Sequence, residues 1–71
     1  MTEGESLPKE PKEIFELIVK ADEKVKYATA EKGDARRRQA KDLLTEALDA
    51  AREIQNEALV QQAELRLSDL G

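Results

Sequence analysis

Residues 33–48 read GDARRRQAKDLLTEAL, and this stretch decides the fold. Gly33-Asp34 separates two long segments in which apolar residues recur at helical spacing, so the pair predicts a corner between two helices. Glycine takes the left-handed conformation that ends many helices, and aspartate accepts hydrogen bonds from the free amides of a first turn. We therefore expect a first helix to end at Lys32-Gly33 and a second helix to follow Asp34.

The apolar stripe of the second segment is rich in alanine, which allows a neighbouring helix to approach closely. Its members are Ala40, Leu43, Leu44, Ala47, Ala50, Ala51 and Ile54. The first segment begins at Pro11, a residue suited to a first helical turn. Its stripe runs through Ile14, Ile18, Ala21, Val25 and Ala28. The two stripes predict antiparallel helices over about residues 11–32 and 35–55.

A second corner is predicted where the stripe changes phase. No glycine or proline interrupts residues 35–70, so the alternative is one helix of about 54 Å. At about 100° per residue, however, the later apolar residues would lie mostly opposite the earlier ones. A break at Gln55-Asn56-Glu57 lets both sets face one core, with Asn56 either closing one helix or capping the next. We expect a shorter third helix over about residues 57–70.

The composition is that of one small all-α domain. The chain has 71 residues, 39% apolar and 39% charged, with no cysteine or histidine, so thiolate and imidazole metal sites are excluded. A domain of this size buries a thin core and often gains stability from a partner. The expected fold is an all-α antiparallel three-helix bundle over residues 11–71, preceded by a flexible leader over residues 1–10.

The same features exclude several functions. A net charge of −4 argues against general nucleic-acid binding, which needs a basic surface. The apolar runs are far shorter than the ~20 residues of a membrane span, so we expect a cytoplasmic protein. We find no set of catalytic residues and no phosphate loop, and predict neither enzyme activity nor a cofactor. Glu46, Asp49 and Glu53 share a helical face that could attract a cation, but we interpret it as a solvated face without a metal.

Two groups of residues are candidates for contact with a partner. Phe15 and Val19 lie off the main stripe of the first helix, and Leu65 lies off that of the third, so we expect them to bind another protein or a second copy of the chain. The basic residues Arg36, Arg37, Arg38 and Lys41 form the second group. They are unusual at a helix N-terminus, whose dipole disfavours cations. They suggest an alternative function, a small regulator that binds an anionic ligand or an acidic partner, unless they pair with nearby carboxylates.

Part of the chain resembles a known family. The segment from Ala28 to Leu70, through Glu31-Lys32-Gly33-Asp34 and Ala47-Leu48, resembles a tetratricopeptide-repeat hairpin followed by the first helix of a further unit. The resemblance extends to Ala40, Leu44, Asn56 and Ala58. It implies stacked antiparallel helices and a non-enzymatic role as a protein-interaction module.

A second resemblance concerns the end of the chain. Leu65-Arg66-Leu67-x-x-Leu70 is similar to the third helix of the microtubule-interacting and trafficking domain, a three-helix bundle of comparable size. That resemblance implies recognition of a partner helix by apolar and basic residues of the third helix. Both resemblances imply a function in protein–protein interaction or self-association.

Overall fold

The part of the chain that the structure describes folds into three helices. A computed structural model describes residues 9–28, 31 and 33–70. The helices are α1 (Pro11–Lys26), α2 (Gly33–Glu53) and α3 (Glu57–Leu70). The central helix α2 packs against both others, whereas α1 and α3 touch each other much less. The predicted all-α antiparallel three-helix bundle with a shorter third helix is confirmed.

The start of α1 is fixed by its own first turn. The backbone N–H of Glu10 donates to Oε1 of Glu13 at 3.0 Å, and Pro11 occupies the first helical position, where a missing N–H has no cost. Lys9 lies 3.5 Å from Glu46 of α2 in an ion pair. Lys9 and Glu10 therefore belong to the folded domain, not to the predicted leader, whose other residues, 1–8, lie outside the described part of the chain.

The end of α1 comes at Lys26, so the prediction that it would reach Lys32 is wrong. The N–H of Tyr27 donates to the carbonyl of Glu23 at 3.1 Å, and that of Ala28 donates to the carbonyl of Val25 at 3.1 Å. The second bond is three residues long and tightens the last turn, which is one way for a helix to end without glycine. Lys32 itself lies outside the described residues.

The glycine at position 33 opens α2 and does not close α1. Gly33 is buried at the first position of the helix and does not have a positive φ. A Cβ there would lie 3.3 Å from Nη1 of Arg37, so the absence of a side chain gives room for that guanidinium. Asp34, expected to precede α2 as its N-cap, is the second helical residue, and its side chain is fully exposed. The corner exists, but both predicted capping roles are wrong.

The second corner is a Schellman motif without glycine. Gln55 has φ 57°, in the left-handed region. Its N–H donates to the carbonyl of Arg52 at 3.0 Å, and the N–H of Asn56 donates to the carbonyl of Ala51 at 2.9 Å. This pair of bonds satisfies carbonyls that the end of a helix leaves free. The α2 helix therefore ends at Glu53, two residues before the predicted boundary.

Asn56 caps α3, which settles the alternative left open by the sequence. Its Oδ1 accepts a hydrogen bond from the N–H of Leu59 at 3.2 Å, and its carbonyl accepts from Val60 at 3.0 Å. The side-chain bond satisfies one of the free amides of the first turn. Because of this cap α3 begins at Glu57, as the phase change predicts.

The core is built mostly from alanine. Its fully buried large side chains are Ile14, Ile18 and Leu44. The other buried members are Ala21, Ala40, Ala47, Ala50, Ala51 and Ala63. Larger side chains pack around them and are only partly buried: Leu17, Leu43, Leu48, Ile54, Leu59, Val60, Leu67 and Leu70. The helices are therefore held close by small side chains, with little large apolar volume between them.

The left-handed residue of the second corner predicts opposite effects for two glutamine-to-glycine substitutions. Gln55→Gly should raise the free energy of unfolding by about 0.5–1 kcal/mol. Glycine removes the strain of the left-handed conformation, and the greater freedom of the unfolded chain offsets part of this stabilisation. Gln61→Gly, at an exposed position inside α3, should lower it by about 1 kcal/mol. Urea unfolding followed by circular dichroism measures both. A loss of stability in both variants would contradict the assigned corner.

The alanine contacts predict intolerance of a larger side chain on the buried side of α2. Ala47→Leu should destabilise the fold by about 1–3 kcal/mol, because a fully buried position between close helices has no room for the added methyl groups. Ala35→Leu, on the exposed side of the same helix, should change stability by no more than about 0.5 kcal/mol. The same unfolding measurement compares them. Equal stabilities of the two variants would show that α2 does not approach its neighbours closely.

Candidate functional site

Phe15 and Val19 lie one turn apart on one flank of α1. Their side chains are 53% and 38% exposed, although the adjacent Ile14 and Ile18 are buried. Asp22 continues the same flank two turns after Phe15, because residues four and seven apart share a helical face. The carboxylate of Asp22 contacts α3, so this flank borders the space between α1 and α3.

Arg66 of α3 makes that contact and ties the two helices together. Its Nε donates to both carboxylate oxygens of Asp22, at 2.9 and 3.0 Å. Its Nη1 donates to the side-chain oxygen of Gln62 at 2.6 Å and to its carbonyl at 3.2 Å. The side chain of Arg66 is 29% exposed, which makes this the least exposed arginine among the ion pairs of the described residues. Sequence reasoning missed the pair because 44 positions separate its members and no local spacing signals it.

Beside this ion pair, a groove of about 320 Å³ opens between the C-terminal ends of α1 and α3. The walls and floor of the groove are apolar and consist of Val25, Leu44 and Leu70. The exposed residues Lys26 and Asp69 also line it, together with the ion pair. An apolar groove with charged edges is the type of surface that accepts the apolar side of an amphipathic helix.

Leu65 lies elsewhere on the bundle. It is 62% exposed, as expected for a residue off the apolar stripe. It follows buried Ala63 by two positions, about 200° around the helix axis, so it points away from the core. The structure therefore does not bring Leu65 into the flank formed by Phe15 and Val19.

The basic run on α2 is divided between two sides of the helix. Arg37, Arg38 and Lys41 line a cavity of about 300 Å³ together with Leu70, at the C-terminal end of α3. The last turn of α3 contains no basic residue of its own. Cations are favourable beside a helix C-terminus, so α3 offsets their unfavourable position at the N-terminus of α2. Arg37 also lies 4.0 Å from Asp34 in a weak ion pair, which agrees with the expectation that nearby carboxylates neutralise part of the run.

Arg36 is separated from the other members of that run. It is half-buried and faces α1, where it lines a third cavity with Lys24 and Tyr27. Tyr27 is 60% exposed at the edge of this cavity, and Nζ of Lys26 lies 5.7 Å from its ring centroid. The four cations that the sequence groups together therefore do not form one site.

The acidic face of α2 does not form a metal site in the described part of the chain. Glu46 pairs with Lys9, and no group of three or more acidic side chains is placed to hold a metal ion among the described residues. Of the helices that the structure describes, none combines the length and the apolar character needed to cross a membrane.

Comparison of the chain with family models, curated proteins and solved structures finds no match. The resemblances to the tetratricopeptide-repeat hairpin and to the microtubule-interacting and trafficking domain remain predictions from the residues. The three-helix architecture is common to many functions, so it does not choose between them.

Proposed function

We propose that this chain is a non-enzymatic protein-interaction module of the cytoplasm that binds an amphipathic helix of another protein. The binding surface is the α1–α3 face, which we define as Phe15 and Val19 together with the groove that ends at Leu70. The observation that carries the proposal is the exposure of Phe15 and Val19 on the flank that leads into this groove. Neither a metal nor a cofactor has a part in it.

The dimensions of this face suit a short helix. From Phe15 to Lys26, α1 rises about 16 Å at 1.5 Å per residue, which is about three helical turns. A partner helix of that length would place apolar residues at intervals of three and four against the flank and the groove. The alanine-rich core adds support, because a small domain with little buried apolar volume gains stability when a partner covers exposed apolar surface.

The charges along the flank favour a different protein over a second copy as the occupant. If two copies of α1 paired antiparallel with Val19 at the centre, Lys12 of each copy would face Lys26 of the other, and Glu16 would face Asp22. Like charges opposite each other are unfavourable, and they also select against the wrong partner. A helix with another charge pattern avoids this repulsion. Both resemblances agree with an interaction role.

The proposal is tested first by photo-crosslinking from the flank. A photoreactive amino acid at position 15 should capture one helical segment of a partner protein in cells that express the chain, and mass spectrometry identifies that segment. The same probe at Asp49, on the exposed side of α2, should not capture it. Sedimentation equilibrium of the purified chain should show a monomer, whereas a dimer that is lost on Phe15→Ser would make a second copy the occupant and contradict the proposal.

A matched pair of variants then tests the contact itself. A synthetic peptide of the captured segment should bind the chain, and Phe15→Ser should raise the dissociation constant by about thirtyfold, the effect of losing a 2 kcal/mol anchor. Leu65→Ser removes another exposed apolar side chain, one that points away from this face, and it should change the dissociation constant by less than about twofold. Equal effects of the two variants would show that binding is not located at the α1–α3 face.

A further inference from the structure

The third cavity lies between the C-terminal half of α1 and the first turns of α2, and it collects positive charge. It has a volume of about 410 Å³. Its lining consists of Lys20, Glu23, Lys24 and Tyr27 from α1 and Arg36 and Leu43 from α2. Three of these six side chains are cations and one is an anion, in a chain whose net charge is −4. The cavity therefore carries an excess of two positive charges.

Two of the cations are half-buried on opposite helices. Lys24 and Arg36 both lose much of their contact with solvent and line the same cavity. Lys20 adds a third positive charge one turn before Lys24, at a spacing where like charges repel. Among the described residues, no ion pair includes any of these three side chains. Like charges that are partly desolvated and close together are costly unless an anion neutralises them.

Arg36 also has a buried hydrogen-bond donor that is not used. Its Nε is inaccessible to solvent and has no hydrogen-bond partner among the residues that the structure describes. Such a donor destabilises the fold when it stays unsatisfied, so it calls for an acceptor. The edge of the guanidinium that contains Nε and one terminal nitrogen binds a phosphate through two parallel hydrogen bonds.

We propose that this cavity is a binding site for the phosphate group of a small phosphorylated molecule. Two lysines of α1, Lys20 and Lys24, line the cavity opposite Arg36 of α2, which suits a tetrahedral group with several acceptor oxygens. A phosphate monoester carries a charge of about −1.5 to −2 at neutral pH, which matches the local excess of positive charge. The hydroxyl of Tyr27, at the edge of the cavity, offers a further donor to the rest of the molecule.

This site is independent of the proposed function. Lys20 and Lys24 lie on the α2 side of α1, whereas Phe15 and Val19 lie on its α3 side. Arg37, Arg38 and Lys41, on the other side of α2, do not line this cavity. The basic run therefore does not form the single patch that the sequence suggests. One of its residues lines the cavity together with two lysines of α1.

Calorimetric titration with pyrophosphate and with inorganic phosphate, in buffer of matched ionic strength, tests the site. Both probes should bind the wild-type chain and raise its melting temperature more than sodium chloride at equal ionic strength. Lys24→Gln and Arg36→Gln should each raise the dissociation constant by about tenfold or more. Arg38→Gln removes the same charge from the other side of α2 and should change it by less than about twofold.

The outcomes separate a built site from general attraction of anions. If Arg38→Gln and Arg36→Gln raised the dissociation constant equally, the proposal would be overturned. It would also be overturned if neither pyrophosphate nor inorganic phosphate bound at millimolar concentration. Circular dichroism checks that each variant is folded, and Lys20→Gln, at an exposed position, provides a second test if Arg36→Gln does not fold. A phosphoserine peptide that binds more tightly than pyrophosphate would overturn the assignment to a small molecule in favour of a phosphorylated protein.

Discussion

The structure depends on the close approach of α2 to its two neighbours. Ala40, Ala47 and Ala51 are fully buried on the side of α2 that meets α1 and α3. Small side chains at these positions shorten the distance between helix axes and leave little room for large side chains. Apart from the fully buried Ile14, Ile18 and Leu44, the larger apolar residues of the core lie at its edges, where they are partly buried. The exposed flank of α1 and the apolar groove at Leu70 both border this core.

The antiparallel order then determines where charges collect. The C-terminal ends of α1 and α3 lie beside the N-terminal end of α2, so their helix dipoles alternate. The basic residues at the start of α2 gain a favourable neighbour on the α3 side, where Leu70 ends the last turn. Arg36 lies on the α1 side, where it lines a cavity together with two lysines. The basic residues of this run therefore lie in two different environments, because consecutive residues of a helix point to different sides.

The sequence predicts most of the fold because its strongest signals are local. The phase change of the apolar stripe located the second corner, and Asn56 is the cap there. The predicted end of α1 is wrong because glycine is the usual signal for such an end, whereas in the described part of the chain this helix ends at Lys26 through backbone hydrogen bonds. Phe15 and Leu65 lie off the apolar stripes, and both are exposed. No local pattern predicts that Asp22 pairs with Arg66, or that Arg36 and Lys24 line the same cavity. Both arrangements depend on how separate helices pack against each other.

Helix α1 carries both proposed sites, on different sides. An occupant of the α1–α3 face therefore does not block the cavity at Arg36, and a phosphate in that cavity does not cover Phe15. The two sites are nevertheless linked through the C-terminal half of α1, where Lys24 lines one site and Val25 and Lys26 line the other. A phosphate that holds Lys24 against α2 would fix this last turn and with it one wall of the groove. Any such effect on helix binding must be matched by an equal effect of the helix on phosphate binding, because coupling free energies are reciprocal.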